Sequence, residues 1–367
     1  MIVGSPQNAE RDALAARVAA LIDRLANGTR DDAARDVLLR ELLQWQRANV
    51  AVYGRIVARL GAPEQDPLDW PALPTDVFRV ARVASHDAHS DARVFRTSGT
   101  TGPRGSHHLR DLSLYDRAAH ATARHALFPD APRMQLVILA PTAGELPDSS
   151  LAYMLDRFVA WFGEGPGVYV MRQDQIDADL LERTLHDAQR AGRKLALLGT
   201  SFAFVHAEDA LGARRFALPA GSRIMQTGGF KGRAREIAAA QMSSLLAQRY
   251  GVAEALIVQE YGMTELSSQL YESSLREAVL GHPPGARRLW WPGWVRVTIV
   301  DPETLAQVPA GAEGLARIDD LANVDTACAI QTADRACALL DGIRVLGRAA
   351  AATPRGCSIA ADAALGG

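Results

Sequence analysis

Lysine, cysteine and long apolar runs are all scarce in this chain. Of its 367 residues, 40 are Lys or Arg, and only Lys194 and Lys231 are lysines. The three cysteines, Cys328, Cys337 and Cys357, lack the spacing of a zinc or redox motif and fit a reducing compartment. No apolar run approaches the roughly 20 residues of a membrane span, and the N-terminus has no basic segment before an apolar core. We therefore expect a cytoplasmic protein without a membrane span.

The charges of the chain are almost balanced. The 40 basic residues face 42 acidic ones, which leaves a formal net charge of −2. Nucleic-acid-binding proteins normally carry a basic footprint, so we expect no nucleic-acid partner. Hydrophobic residues make up 48% of the sequence and charged residues 22%. This composition suffices for one large domain, or for two or three subdomains with a real core.

A run of hydroxyl and glycine residues is the most informative feature that the chain does contain. Its members are Thr97, Ser98, Gly99, Thr100, Thr101 and Gly102, and Arg104 follows closely. The glycines permit positive-φ turns that aim backbone N–H groups at one point, and such a nest holds phosphate oxygens. The arginine adds a fixed positive charge. Because Walker P-loop spacing is absent, the run indicates either another kind of phosphate loop or an ordinary surface loop.

A second polar turn follows an apolar run much later in the chain. Residues 255–258 predict a buried strand, which delivers the segment Gln259–Glu265. Tyr261, followed by Gly262, can stack on a flat ring, and Thr264 and Glu265 can reach a metal ion that bridges phosphates. Taken alone, the same segment is equally typical of a strand end with ordinary turn residues.

Together, the two segments resemble signatures of the adenylate-forming superfamily, which contains acyl-CoA synthetases, adenylation domains and luciferases. Two shorter segments extend the resemblance. Residues 330–335 are similar to a motif whose Asp binds ribose hydroxyls, with Asp334 retained and Ala333 in place of the usual Gly. Gly347 and Arg348 are similar to the Gly-Arg pair at the hinge of the superfamily.

Within that superfamily, the chain most resembles the LuxE-like acyl-protein synthetases of the bacterial fatty-acid reductase complex. Phenylacetate-CoA ligases are more distant relatives. The resemblance covers roughly residue 40 to the C-terminus, and it rests on the segments Thr227–Arg233, Gln259–Glu265 and Arg355–Ser358.

The resemblance implies ATP and Mg²⁺ as cofactors, and a carboxylic acid, such as a fatty acid, as substrate. The run 97–102 with Arg104 would bind phosphates, and Thr264 and Glu265 would bind the α-phosphate or Mg²⁺. Adenosine contacts would come from Gly228, Gly229, Tyr261, Gly262, Asp334 and Arg348. The terminal Cys357 would carry the acyl group as a thioester and deliver it to a partner reductase.

The shortage of lysine bears on this interpretation. Full-length members of the superfamily carry a catalytic lysine on a C-terminal lid, whereas only 19 residues follow Arg348 here, and none is lysine. We therefore expect the lid to be missing or reduced to a short tail. Lys231, after the Gly228–Gly229 turn, is the first candidate to neutralise the reacting groups, and a solvated loop charge is the simpler alternative.

The order of apolar segments predicts an α/β fold with layered subdomains. Helices are expected at residues 9–26, 31–60, 111–127, 174–191 and 234–250, and buried strands at 135–140, 194–198 and 255–259. A β-rich subdomain is expected from about 290 to 347. The predicted organisation is an acyl-activating domain at 1–347 and a short tail at 348–367 that carries Cys357.

Three other functions compete with self-acylation. An acyl- or aryl-CoA ligase would hand the acyl group to CoA and would not need Cys357. A binding protein without turnover could keep the fold after losing the lid lysine. The segment Gly199–Ala203 is similar to the nucleophile elbow of serine hydrolases, but Ala203 replaces the last glycine.

Overall fold

The structure is a computed structural model that describes residues 6–60, 65–98, 102–172, 175–228, 239–283 and 285–349. The chain forms two compact units. Unit 1 consists of residues 1–121, 263–269 and 290–367, and unit 2 consists of residues 122–262 and 270–289. The chain therefore leaves unit 1 twice, after residues 121 and 269, and returns to it at residues 263 and 290.

Helices account for most of the N-terminal part of the chain. The α-helices of the described residues are α1 (Pro6–Leu25), α2 (Asp32–Asn49), α3 (Ala51–Arg59), α4 (Val77–Val80), α5 (Ser113–Ala126), α6 (Ser150–Phe162), α7 (Ala178–Ala191), α8 (Ser201–Leu211), α9 (Ala239–Tyr250) and α10 (Ser274–Val279). Short 3₁₀ helices lie at Pro67–Asp69, Ala88–Ser90 and Glu254–Leu256. None of the helices in these ranges is long and apolar enough to cross a membrane.

Strands alternate with helices in the middle of the chain and dominate after residue 289. The strands are β1 (Leu73–Pro74), β2 (Arg93–Arg96), β3 (Ser106–Leu109), β4 (Gln135–Leu139), β5 (Val168–Tyr169), β6 (Met171–Arg172), β7 (Gln175–Ile176), β8 (Leu195–Thr200), β9 (Arg223–Thr227), β10 (Ile257–Tyr261), β11 (Leu270–Glu272), β12 (Leu289–Trp290), β13 (Val295–Val300), β14 (Glu313–Asp320), β15 (Ala329–Leu339) and β16 (Gly342–Arg348).

Unit 2 is built on a mostly parallel sheet with the strand order β11-β10-β9-β8-β4-β5. Strands β10, β9, β8, β4 and β5 run parallel, and β11 pairs antiparallel to β10. Strands β4 and β8 are nearly continuous apolar runs, as expected of parallel strands that are covered on both faces. Helices α7, α8 and α9 supply apolar residues to the same buried cluster as β4 and β8, including Leu185, Phe204 and Leu246.

Unit 1 contains an antiparallel sheet in the order β13-β14-β15-β16, with β1 added parallel to β15. A separate hairpin joins β2 to β3, with Phe95 opposite His107. Trp294 is 1% exposed and is the largest fully buried side chain of the described residues. These strands give the β-rich segment that the sequence predicts from residue 290.

The fold class predicted from the sequence is confirmed, with local corrections. The single helix expected over 31–60 is wrong, because Val50 takes an extended conformation and separates α2 from α3. Val37 is 53% exposed although it belongs to the apolar pattern of this segment, whereas Leu38, Leu42 and Trp45 are buried. An α2 stripe that begins at Leu38 leaves Val37 on the solvent side. The predicted boundary between an activation domain and a tail remains a prediction.

Candidate active site

Hydrogen bonds in unit 1 hold together the two ends of the segment 97–105, whose run 97–102 is predicted to be a phosphate loop. The Thr97 N–H donates to the Gly105 carbonyl at 2.9 Å, and the Gly105 N–H donates to Thr97 Oγ1 at 2.9 Å. Arg104 Nε donates to the Thr97 carbonyl at 2.6 Å. Ser98 and Gly102 are exposed, and Gly102 has a φ of +83° that favours glycine. The neck of the loop is therefore well defined, while Gly99, Thr100 and Thr101 lie outside the described residues.

The Thr264–Glu265 segment, also in unit 1, is held by the buried ring of His107 on β3. His107 Nδ1 lies 2.7 Å from the Thr264 carbonyl oxygen, and Nε2 lies 3.1 Å from Thr326 Oγ1. Phe78 packs edge-on against the imidazole ring, with 6.2 Å between ring centroids. Complete burial lowers the pKa of His107 to about 4, so the ring is neutral near pH 7. This contact joins β3, the strand that follows the run 97–102, to the Thr264–Glu265 segment.

Two further buried side chains fix the rest of that segment. Asn323 Nδ2 donates to the Glu265 carbonyl at 2.8 Å. The Asp320 carboxylate accepts from the N–H groups of Ser267 and Ser268 at 3.0 and 2.8 Å, and from the Ser268 hydroxyl at 2.8 Å. Burial raises the pKa of Asp320, although these hydrogen bonds favour its charged form. The backbone from Thr264 to Ser268 is thus pinned at several points without belonging to a helix or strand.

In unit 2, the polar residues lie where the parallel strands end. Thr200 ends β8 and pairs with Thr227, which ends β9, and Thr227 in turn pairs with Glu260 of β10. Gly228 follows with a φ of +73° and is exposed, and partly exposed Tyr261 ends β10. Carboxyl ends of parallel strands meet at one edge of a sheet, which is the usual place for a ligand in an open α/β sheet.

The connections of unit 2 also reverse direction at this edge. The chain passes from β4 to β5 on one side, whereas β8 leads on to β9 and β10 on the other. The connections after β4 and β8 therefore lead in opposite directions, and such a switch point is where doubly wound sheets usually bind ligands. The sequence alone could not locate this switch point, since strand order is set by tertiary pairing.

Glu260 is an unexpected titratable group at the same edge. Its side chain is 3% exposed, and its carboxyl accepts a hydrogen bond from the Thr227 hydroxyl. Burial raises the pKa of Glu260 to about 7, against the opposing effect of the Thr227 bond. A carboxyl group beside Tyr261 therefore titrates near neutral pH.

Asp334 and Arg348 face each other on β15 and β16 in unit 1. Their positions pair across the two strands, and Asp334 Oδ1 lies 3.9 Å from Arg348 Nε. The Arg348 side chain is 63% exposed and that of Asp334 is 18% exposed. The Thr332 hydroxyl accepts from the Asp334 N–H at 3.1 Å, and both residues, with Ala333 between them, lie within strand β15.

The cysteines differ in their surroundings. Cys357 lies outside the described residues, as do Gly229 and Lys231. Of the other cysteines, Cys328 is fully buried, and burial raises the pKa of its thiol well above the usual value. Cys337 is partly exposed. The buried Cys328 is therefore no candidate nucleophile.

Ser201, considered as a hydrolase nucleophile, lies at the start of α8 and is 5% exposed. Its hydroxyl donates toward Gln226 Oε1 at 3.1 Å and the Gly228 carbonyl at 3.0 Å. His206 instead stacks edge-on against Phe202, with ring centroids 4.2 Å apart. Since Ser201 is directed at oxygens rather than at a histidine, the arrangement does not activate it as a nucleophile.

The donors around Thr264 fit a hard divalent cation. A threonine hydroxyl and a carboxylate are the oxygen ligands that Mg²⁺ takes from proteins, and Mg²⁺ usually completes its octahedron with phosphates and water. In the ranges that the structure describes, no group of three or more His, Cys, Asp or Glu side chains could hold a metal ion without such help. The donor set therefore suits Mg²⁺ that arrives with a nucleotide.

Sequence reasoning missed His107, Glu260, Asp320 and Asn323 as parts of the site. The alternation of a β-strand puts His107 and His108 on opposite faces, which excludes them as a metal pair and makes one of them buried. Nothing in the sequence indicates that the buried one reaches Thr264, which is 157 positions away.

Comparisons with known proteins indicate the family of this chain. The family model described as acyl-protein synthetase, LuxE, matches residues 63–366. A long-chain-fatty-acid–luciferin-component ligase of Vibrio harveyi is 22% identical over 306 residues, which cover 81% of this chain and 77% of that protein.

Solved structures of a 2-hydroxyisobutyryl-CoA ligase share the fold. Its open form, with the acyl-adenylate 2-HIB-AMP and CoA, has a TM-score of 0.61 at 13% identity and covers 86% of this chain and 74% of its own. Its postadenylation form, with 2-HIB-AMP, has a TM-score of 0.63 at 12% identity, with 86% and 67% covered. On the strength of the family match and the adenylate-forming ligase fold, this chain belongs to the LuxE family of acyl-protein synthetases and is an enzyme of that kind.

Proposed function

We propose that this enzyme activates a carboxylic acid with Mg-ATP and transfers the acyl group to its own Cys357. The observation that carries the proposal is the extent of the family match, which continues to residue 366 and so includes the Arg355–Ser358 segment. The chain is proposed to divide into an activation domain at 1–347 and a tail at 348–367 that bears the thiol.

In the first step, a carboxylate oxygen attacks the α-phosphorus of ATP. The bond from that phosphorus to the bridging oxygen breaks, and an acyl-adenylate and pyrophosphate form. Positioning and charge stabilisation provide most of the catalysis in such phosphoryl chemistry. The N–H groups of loop 97–102 hold the β- and γ-phosphates, and Thr264 and Glu265 hold the α-phosphate and Mg²⁺. The metal neutralises phosphate charge when bound.

The nucleoside is proposed to lie against the carboxyl edge of the parallel strands. Tyr261 stacks on adenine, while the backbone at Gly228 and Gly229 approaches the ring closely because neither residue has a side chain in the way. Asp334 accepts hydrogen bonds from the ribose hydroxyls, and Arg348 lies beside it. Lys231 stabilises the negative charge that develops between the carboxylate and the α-phosphate.

In the second step, the Cys357 thiolate attacks the carbonyl carbon of the acyl-adenylate. A thioester forms, the bond to the phosphate oxygen breaks, and AMP leaves; the thiol proton has already passed to solvent. Nearby cations such as Arg355 favour the thiolate. The nine residues from Arg348 to Cys357 reach at most roughly 30 Å when fully extended, which limits the distance over which the proposed transfer can occur.

The acyl group is proposed to be a fatty acyl chain, and the partner a reductase that takes it from the thioester. Support comes from the Vibrio harveyi relative, a long-chain-fatty-acid–luciferin-component ligase, and from the resemblance to components of a fatty-acid reductase complex. A transfer to CoA is the second candidate, because the solved neighbours that share the fold are CoA ligases.

Intact-protein mass spectrometry tests the proposal directly. The enzyme is incubated with Mg-ATP and a pool of carboxylic acids, beside Cys357→Ala and, as a matched control, Cys337→Ala. We expect an ATP-dependent adduct that hydroxylamine removes, that persists in Cys337→Ala and that is missing from Cys357→Ala. The mass of the adduct identifies the acid.

Other results would redirect the assignment. Release of AMP without an adduct, increased by CoA and unaffected by Cys357→Ala, would establish the CoA ligase. Failure of every acid to support pyrophosphate exchange would favour a binding protein without turnover.

A further inference from the structure

His107 occupies a position that links two motifs of unit 1. It lies on β3, two residues after Gly105, which closes the neck of the phosphate loop, and opposite Phe95 on β2. Its side chain is fully buried, and it is in direct contact with the Thr264 backbone. A fully buried histidine must satisfy both ring nitrogens within the protein, and here each nitrogen has a defined partner.

Those partners determine the tautomer. A carbonyl oxygen can only accept, so Nδ1 must carry the proton that it donates to Thr264. Nε2 is then the acceptor, and the Thr326 hydroxyl donates to it across 3.1 Å. The two hydrogen bonds therefore run in one direction. The Thr326 hydroxyl donates to the imidazole, and the imidazole donates to the Thr264 carbonyl.

The Thr264 carbonyl belongs to the peptide plane that connects Thr264 to Glu265. Because this carbonyl is held by a hydrogen bond, the orientation of the peptide plane is fixed. The directions in which the Thr264 and Glu265 side chains leave the backbone are then fixed as well. Asn323 and Asp320 hold the same segment further along, at Glu265 and at Ser267 and Ser268. Among His107, Asn323 and Asp320, only His107 contacts Thr264. It is also the only one of the three that lies on the β2–β3 hairpin.

We propose that His107 is a positioning residue for the adenylation step, which sets the Thr264–Glu265 peptide relative to the phosphate loop through its Nδ1–H. The inference rests on the proposed function, in which Thr264 and Glu265 bind phosphate and Mg²⁺. His107 itself touches no substrate. Small displacements of a group that stabilises a transition state have large effects on rate, so the expected consequence is on turnover.

Two amide substitutions distinguish the roles of the two ring nitrogens of His107. In His107→Asn, the side-chain amide takes the place of Nδ1 and can still donate to the Thr264 carbonyl. In His107→Gln, the amide reaches toward the place of Nε2 and leaves the carbonyl without its donor. His108→Asn is the matched control, because His108 lies on the opposite face of β3 and bonds with Asp91.

The measurement is ATP–pyrophosphate exchange in the full-length enzyme with the acid found by mass spectrometry, together with urea unfolding of each variant. We expect His107→Gln to lose roughly 10- to 100-fold in kcat with little change in KM for the acid. His107→Asn should stay within a few-fold of wild type, as should His108→Asn. Equal rates in the Asn and Gln variants, or losses that only follow the unfolded fraction, would overturn the proposal.

A second measurement needs no folded variant. Two-bond ¹H–¹⁵N spectra of histidine-labelled wild type at pH 7.5 should show one ring that is protonated on Nδ1 and bare on Nε2. A spectrum in which every neutral ring carries its proton on Nε2 would overturn the proposal. Wild-type enzyme that exchanges no pyrophosphate with any acid, yet shows the Nδ1 tautomer, would instead overturn the proposed function.

Discussion

The Thr227 hydroxyl donates a hydrogen bond to the Glu260 carboxyl and thereby ties together the ends of β9 and β10. The two residues are direct neighbours in the parallel register. They precede Gly228 and Tyr261, the residues proposed to contact adenine. A buried carboxyl group therefore lies at the edge of the sheet where the nucleotide is proposed to bind.

Glu260 should make the enzyme less stable as the pH rises through neutrality. Burial raises its pKa to about 7 in the folded state, so between pH 4.5 and 7 the folded protein holds a proton that the unfolded chain has lost. The stabilisation is complete below about pH 4.5 and is lost as the pH rises through about 7. The full effect is about 3 kcal/mol by the pKa difference.

The measurement is urea unfolding of wild type and Glu260→Gln from pH 5 to 8. The free energy of unfolding of Glu260→Gln should not show this decrease, and at pH 8 the variant should be more stable than wild type. Glu303→Gln, at an exposed position, is the control and should follow wild type. A pH dependence that is the same in wild type and Glu260→Gln would show that the carboxyl ionises without cost.

His107 should make the enzyme less stable as the pH falls, whereas Glu260 makes it less stable as the pH rises. Burial lowers its pKa to about 4, so its contribution is complete above about pH 6.5 and is lost as the pH falls through about 4. The difference corresponds to about 3 kcal/mol. His107→Asn cannot be protonated in this range, so its stability should fall less between pH 6.5 and 4.5 than that of wild type. Chemical unfolding at matched pH values checks this, and identical slopes would contradict it.

Gly199 should not tolerate a side chain. A Cβ there would lie 2.6 Å from Leu139 Cβ and 2.8 Å from the Leu139 carbonyl oxygen on the neighbouring strand. Since β4 and β8 are both central in their sheet, neither can move away cheaply, and Gly199→Ala should cost about 1–3 kcal/mol. Gly165→Ala, which would meet nothing within 4 Å, is the control. Thermal unfolding of both variants tests this prediction. An unchanged Tm for Gly199→Ala would show that the backbone of Gly199 does not lie this close to Leu139.

Asp334 should matter for nucleotide binding rather than for folding. Its pair with Arg348 is 3.9 Å long and exposed on the arginine side, and such pairs contribute about 0–1 kcal/mol. If Asp334 binds the ribose, Asp334→Asn should raise KM for ATP roughly tenfold, as expected when a charged hydrogen bond is lost. Glu313→Gln, in the neighbouring exposed pair with Arg335, should leave KM unchanged. Equal KM values in all three proteins would remove Asp334 from the site.

Much of the fold was predictable because the relevant signals are local. The apolar run at 194–198 predicts β8, and the helical spacing at 9–26 predicts α1. The polar run at 97–102 predicts a loop, but the strands β2 and β3 on either side of it were not predicted. The break at Val50 was not predictable from the apolar pattern, because that pattern continues through it and only the backbone of Val50 departs from helix.

The sequence by itself determined the family and the residues that its motifs contain, since these are contiguous segments whose order and chemistry can be read directly. The tertiary structure alone decided that His107 bonds to Thr264, that Asp320 holds Ser267 and Ser268, and that Thr227 meets Glu260. These contacts join residues far apart in the chain. The pKa values of His107 and Glu260 depend on burial, which no local pattern of residues specifies.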